Sequence, residues 1–269
     1  MKRFCALLPL LLFTTAASAA LHFGTNEISP GSVVEFKVAP NGRALFELGQ
    51  ARVTASTIRG ALILPAGFTN LLKPCRLLIV SVPSGGSAIS GMRAMTNVAL
   101  REGWAVLAAD GPPVAVETDT IQFGWGMLSS VLDHLARTWP QARRWPVVCA
   151  GFSGGAKRSA AVAAAMTHEG WHLAGVFMGG CNEDRATLGQ RLFAPGPSFK
   201  RVPMFLSAGE SDPIAGPKPT GVVRDSMVQS GFANVRLETY PDGHRFHSEH
   251  LRDALRWFLE NEPKPAVAR

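Results

Sequence analysis

The chain has 269 residues and a formal charge of +7, from 27 basic and 20 acidic side chains, with four cysteines. This length suits one large domain behind a short leader. The cations are scattered (Arg143-Arg144, Lys157-Arg158, Lys200-Arg201, Lys218) without an aromatic-basic stripe, which argues against a nucleic-acid partner. No histidine or cysteine spacing suggests zinc or haem, so neither a metal nor another cofactor is expected.

Lys2 and Arg3 precede an apolar run from Phe4 to Phe13, interrupted at Pro9, and Ala17-Ser18-Ala19 follows as a small-residue cleavage site. This pattern predicts a signal peptide over residues 1–20 and an exported protein, periplasmic or extracellular. The run is too short for a comfortable membrane span, although an uncleaved anchor is the alternative. No stable span is expected after removal of the leader. An oxidising compartment permits one disulfide among Cys75, Cys149 and Cys181 and leaves one cysteine over; Cys149 reads as a small buried hydrophobe.

The remaining chain, residues 21–262, reads as a single domain, with 263–269 a disordered tail. It opens with loop-like residues around Gly24, Asn26 and Ser29-Pro30-Gly31. Val33 to Val38 predicts a strand with Val34, Phe36 and Val38 on one face. Asn41-Gly42 reads as a turn. Residues 51–58 alternate and predict a second strand, with 58–64 its continuation or a third. These opening strands read as an antiparallel edge.

A parallel core follows. Arg76 to Val82 is a near-continuous apolar run, as a strand covered on both faces requires. Pro83-Ser84-Gly85-Gly86-Ser87 is a glycine-rich loop. Helices are predicted over 89–101 and 121–139, strands over 104–109 and 146–150. A small-residue helix follows the last of these, then a strand at 173–178, a short helix at 186–192 and a strand at 203–209. A helix at 219–231, a strand at 235–240 and an amphipathic helix at 248–260 close the domain. Alternating strands and helices predict a doubly wound, mostly parallel α/β sheet, with ligands at the carboxyl ends of its strands.

The chemistry centres on Gly151-Phe152-Ser153-Gly154-Gly155, between a strand and a helix. G-x-S-x-G at that junction is the nucleophile-elbow pattern. A serine hydroxyl needs a base beside it, histidine suits that work near neutral pH, and an acid must fix its tautomer. Asp212 follows the 203–209 strand in Gly209-Glu210-Ser211-Asp212-Pro213. His244 follows the 235–240 strand in Asp242-Gly243-His244. Rival acids are Glu210 and Asp184. His247 and His250 read as helix-start and surface residues, and Asp242 as the shaper of its turn.

In this order of serine, acid and histidine the chain resembles the α/β-hydrolase superfamily over roughly residues 50–262. Within it the chain is most similar to single-domain secreted esterases of the polyester-depolymerase or dienelactone-hydrolase-like branches. The resemblance implies a catalytic triad of Ser153, Asp212 and His244. It also implies an oxyanion hole from the amide of Gly154 and an amide of the 83–86 loop, at Ser84 with Gly85 as its neighbour. That loop departs from the familiar His-Gly forms. Phe152 is expected against the pocket wall; Trp125 either lines the acyl pocket or is core. The stretch from Asn182 to Arg201 is too short for a large lid. The function implied is hydrolysis of a small-molecule or polymer-surface ester through an acyl-enzyme. The alternatives are a serine peptidase and a non-catalytic binding protein on the same fold.

Overall fold

The computed structural model describes residues 21–68 and 74–262. The leader and the 263–269 tail lie outside the described residues. A hairpin of β1 (Leu21–Phe23) and β2 (Asn26–Ile28) precedes the main sheet. The sheet has eight strands: β3 (Val33–Val38), β4 (Ile58–Ile63), β5 (Arg76–Ser81), β6 (Trp104–Asp110), β7 (Val147–Phe152), β8 (Leu173–Gly179), β9 (Met204–Gly209) and β10 (Val235–Tyr240). Their spatial order is β10-β9-β8-β7-β5-β6-β4-β3. The β3–β4 and β4–β6 pairings are antiparallel and the other five are parallel. The doubly wound architecture and the antiparallel opening are therefore as the sequence predicts.

Among the described residues seven α-helices flank the sheet: α1 (Gly42–Gln50), α2 (Ala88–Arg101), α3 (Ile121–Thr138), α4 (Gly154–His168), α5 (Arg185–Phe193), α6 (Pro217–Gln229) and α7 (Ser248–Glu260). One layer of core joins α1, α3, α4 and α6 to the sheet. The other joins α2 and α7 to the opposite face. The strand order reverses at β5, which lies between β6 and β7. Such a reversal leaves a crevice at the carboxyl ends of the strands, here between the 82–87 loop and the start of α4. Between β8 and β9 stand only α5 and a short 3₁₀ turn at Pro197–Arg201, so no large lid covers that crevice.

Three expectations are corrected. The loop-like opening contains the β1–β2 hairpin. Asn41-Gly42 starts α1 rather than making a turn: Asn41 Oδ1 caps the amide of Ala44, and its Nδ2 donates to Ser129 Oγ and Asp133 on α3. Residues 51–57 are not a strand. Val53 N–H returns to the Leu48 carbonyl and Arg52 N–H to that of Gly49, with Arg52 at φ 54°. These bonds are a Schellman close to α1, and the strand starts only at Ile58. Cys75, Cys149 and Cys181 are buried free thiols. Burial pushes the Cys75 and Cys181 thiols up to about 11. Among the described residues, no helix is long and apolar enough to cross a membrane.

Candidate active site

Ser153 sits between β7 and α4 with φ 56° and ψ −124°, a conformation that strains a residue bearing a Cβ. The surrounding backbone imposes it. A Cβ on Gly151 would lie 2.2 Å from the Gly155 carbonyl, and one on Gly155 would lie 2.4 Å from the Ser81 carbonyl oxygen. Only glycine permits strand, helix and neighbouring strand to approach so closely. Ser153 N–H donates to the Gly179 carbonyl at 2.8 Å, which pins the turn to β8. This is the geometry that G-x-S-x-G predicts.

The acid and the histidine come from the next two loops. Asp212 has a fully buried side chain. Its Oδ1 accepts the amides of Ile214 and Ala215 at 2.7 and 2.9 Å. Its Oδ2 is 2.7 Å from His244 Nδ1. Burial works against the charge on Asp212, but the amide of Ala215, the His244 imidazole and the amide of Ile214 outweigh it and hold the carboxyl below its usual range. A carboxylate only accepts, so Nδ1 must carry the proton. The lone pair of His244 is then on Nε2, the tautomer that a general base needs.

The two loops are fastened together. A Cβ on Gly209 would fall 2.3 Å from the Gly243 carbonyl oxygen and 2.5 Å from that of Asp242. Ser211 N–H also donates to the Asp242 carbonyl at 3.0 Å. The His244 ring packs on Phe152 with ring centroids 4.8 Å apart. Its Cε1 lies over Gly180, next to the residue that receives the Ser153 amide. The imidazole thus stands beside the elbow, with Phe152 as its backing.

The rival acids are engaged elsewhere. Asp184 caps α5 through Thr187 N–H and accepts from Ser226 Oγ. Glu210 is exposed and accepts from Thr239 Oγ1. Asp242 shapes its turn by accepting the amide of Gly243. His247 is the cap of α7. His250 is not at the surface as expected: it is buried, and its Nδ1 is 2.8 Å from Ser207 Oγ. This second serine–histidine pair carried no sequence motif; its one signal is a serine within an otherwise apolar strand.

Ser84 and Gly85 lie where the carboxyl end of β5 meets the start of α4. The turn is closed by Gly86 N–H on the Pro83 carbonyl. Trp125 is elsewhere. It is 2% exposed, packs in the core and lies under the Arg43 guanidinium on the α1 side, so it does not line the site. Its helix begins at the active face, but its own register turns it inward. Beside Ser84 and Gly154 a cavity of about 510 Å³ opens, bounded by Ile121, Leu188 and Leu192 with Lys157 and Arg185. Among the described residues, no group of three or more metal-ligating side chains is assembled.

The chain has the α/β-hydrolase fold. It is similar to dienelactone hydrolase from Anabaena variabilis, with a TM-score of 0.57 and 18% identity over 86% of this chain and 95% of that one. It is equally similar to a serine hydrolase without a lid from Xanthomonas campestris, with a TM-score of 0.56 and 19% identity over 90% and 100%. In sequence, 76 residues are 40% identical to acyl-protein thioesterase 1 of Neurospora crassa. That match spans 30% of the relative's length and 28% of this chain. No family model matches.

Proposed function

We propose that this protein is a serine hydrolase that cleaves carboxylic esters or thioesters through an acyl-enzyme on Ser153. The observation that carries the reading is the buried Asp212 carboxylate fixing the His244 tautomer beside a serine held at positive φ. His244 Nε2 takes the Ser153 hydroxyl proton as Oγ bonds to the acyl carbon. Negative charge gathers on the former carbonyl oxygen, where the amides of Gly154 and Ser84 stabilise it. The C–O or C–S bond then breaks, and the leaving group takes the proton back from Nε2. Water repeats the sequence in the second half, giving its proton to His244 and releasing the acid as Ser153 recovers its own.

The lidless crevice and the apolar side chains of Ile121, Leu188 and Leu192 support small or surface-presented acyl groups as substrates. The thioesterase named above supports testing thioesters beside oxygen esters. The leader-like pattern of residues 1–20 supports work outside the cytosol, in the periplasm or the medium. The deciding experiment is treatment with a fluorophosphonate followed by peptide mapping. Label on Ser153, lost when the protein is unfolded first, is the expected result. An unlabelled native protein would overturn the reading in favour of a binding protein on a hydrolase fold. A panel of p-nitrophenyl esters, acyl thioesters and peptides then ranks the substrates, and peptide cleavage without ester cleavage would favour a peptidase.

A further inference from the structure

Arg158 and Asp119 belong to none of the roles above, yet both border two cavities. One is the groove beside Ser84 and Gly154. The other, of about 250 Å³, lies behind the 83–87 loop and is bounded by Gly85, Gly86, Asp110, Phe123 and Met127. Ser84 thus borders one cavity and Gly85 and Gly86 the other, and a loop bordered by so much open space does not hold its shape by packing alone.

Two sets of polar contacts hold it. At its far end, Asp110 accepts from the amide of Ala88 and, at 3.1 Å, from Ser87 Oγ, while Arg59 pairs with the same carboxylate. At its near end, Arg158 pairs with the Asp119 carboxylate at 2.9 Å and donates to Ser84 Oγ at 3.0 Å and to the Asp119 carbonyl at 3.3 Å. The Gly85 amide points to the Asp119 carboxylate at 3.4 Å. Both members are mostly shielded from water, with 17% and 11% of their side chains exposed. In such surroundings an ion pair is screened less than one at the open surface.

Arg158 stands four residues after Gly154 on α4, and residues i and i+4 share a helix face. The helix that offers one amide to the developing oxyanion therefore also grips the loop that offers the other. We propose that the Arg158–Asp119 pair is a positioning device for the oxyanion loop, setting the separation of its two amide donors. The inference rests on the serine-hydrolase reading. Neither side chain touches the reacting atoms; both act through the main chain of Ser84 and Gly85.

The test uses the full protein with Arg158→Gln and Asp119→Asn, singly and together, on p-nitrophenyl acetate. Removing a whole oxyanion donor lowers kcat by about 10²–10³-fold, so displacing one should lower it by about 10–100-fold. KM should change by less than about threefold, because only transition-state stabilisation is lost. The double variant should be no slower than the slower single, since the two residues work as one unit. Affinity for a trifluoromethyl ketone, which forms the tetrahedral adduct, should fall in parallel with kcat/KM. Unchanged kcat in folded variants, a loss confined to KM, or unchanged ketone affinity would each overturn the inference. Should those variants not fold, Ser84→Ala decides. It keeps the ion pair and the amide but removes the Arg158 hold on the loop, and kcat equal to wild type would sink the idea. Fluorophosphonate separates the two levels. An unlabelled wild type removes both readings, whereas wild type and variants labelled at one rate remove this inference alone.

Discussion

The proposed Ser153 and His244 couple can be set against a second serine and histidine, Ser207 and His250, which are hydrogen-bonded. Ser153 stands at the elbow with His244, whose ring is fixed by Asp212. Ser207 lies within β9 and meets His250, whose other nitrogen is 3.8 Å from Glu238. Side-chain inventory does not separate them: each has a hydroxyl, an imidazole and a carboxylate. Position does. Ser207 is 1% exposed in regular strand geometry, so no substrate carbonyl can reach it. Ser153 is pushed out of the sheet by a backbone that glycine alone permits, at the start of a helix whose amides face the same space. On the proposed reading, the backbone beneath the serine confers the chemistry as much as the imidazole does.

The sharpest way to break the comparison is to remove each serine in turn. Ser153→Ala should lower kcat/KM on short esters by about 10⁴-fold or more, with an unchanged melting curve. Ser207→Ala should keep turnover within about threefold and instead cost about 1–3 kcal/mol in urea unfolding, because His250 loses a buried partner. Equal losses of activity would erase the distinction. The carboxylates sharpen it further. Asp212→Asn should lower kcat by about 10³–10⁴-fold, since the amide holds the wrong tautomer, whereas Glu238→Gln should leave steady-state rates near wild type.

The elbow offers a third test. A methyl at Gly151 meets backbone atoms that cannot yield, so Gly151→Ala should destabilise the fold by about 3 kcal/mol or more. A wild-type melting temperature for that variant would refute the close approach. The smallest effect is on pH dependence. Burial, and next the neighbouring His247, hold His250 below its ordinary value despite Glu238. Unfolding frees it to take a proton near pH 6.5. The unfolded state then binds more protons below that pH, so stability should fall as the solution is acidified through it. His134, lowered chiefly by burial, acts in the same direction. His250→Gln should remove part of this slope; a slope identical to wild type would show that the buried pair does not titrate.

Much of the site was legible because its signals are local. Gly151 to Gly155 announces the elbow, and Asp212 and His244 each follow a strand within three or four residues. What stayed hidden was decided by contacts between distant segments. Asn41 suits a turn or a helix cap equally, and only its bonds to Ser129 and Asp133 select the helix. Arg52 closes α1 where glycine is usual, so the end of that helix carried no sign. His250 looked like a surface residue because its partner, Ser207, is 43 positions away. Trp125 could not be assigned to core or pocket from its neighbours, since both choices bury an indole.

The sheet order gives the proposed triad an uneven footing. Ser153 grows from β7, in the interior of the eight strands, whereas His244 follows β10, which among the described residues has a neighbour on one side only. A border strand frays before the middle of a sheet does. On warming, the proton acceptor should therefore drift away from a nucleophile that is still in place, and catalysis should fade reversibly some degrees below the collapse of the far-UV signal. The clasp at Gly209 ties Asp212 to the same border, so acid and imidazole would leave as a couple and return as one on cooling.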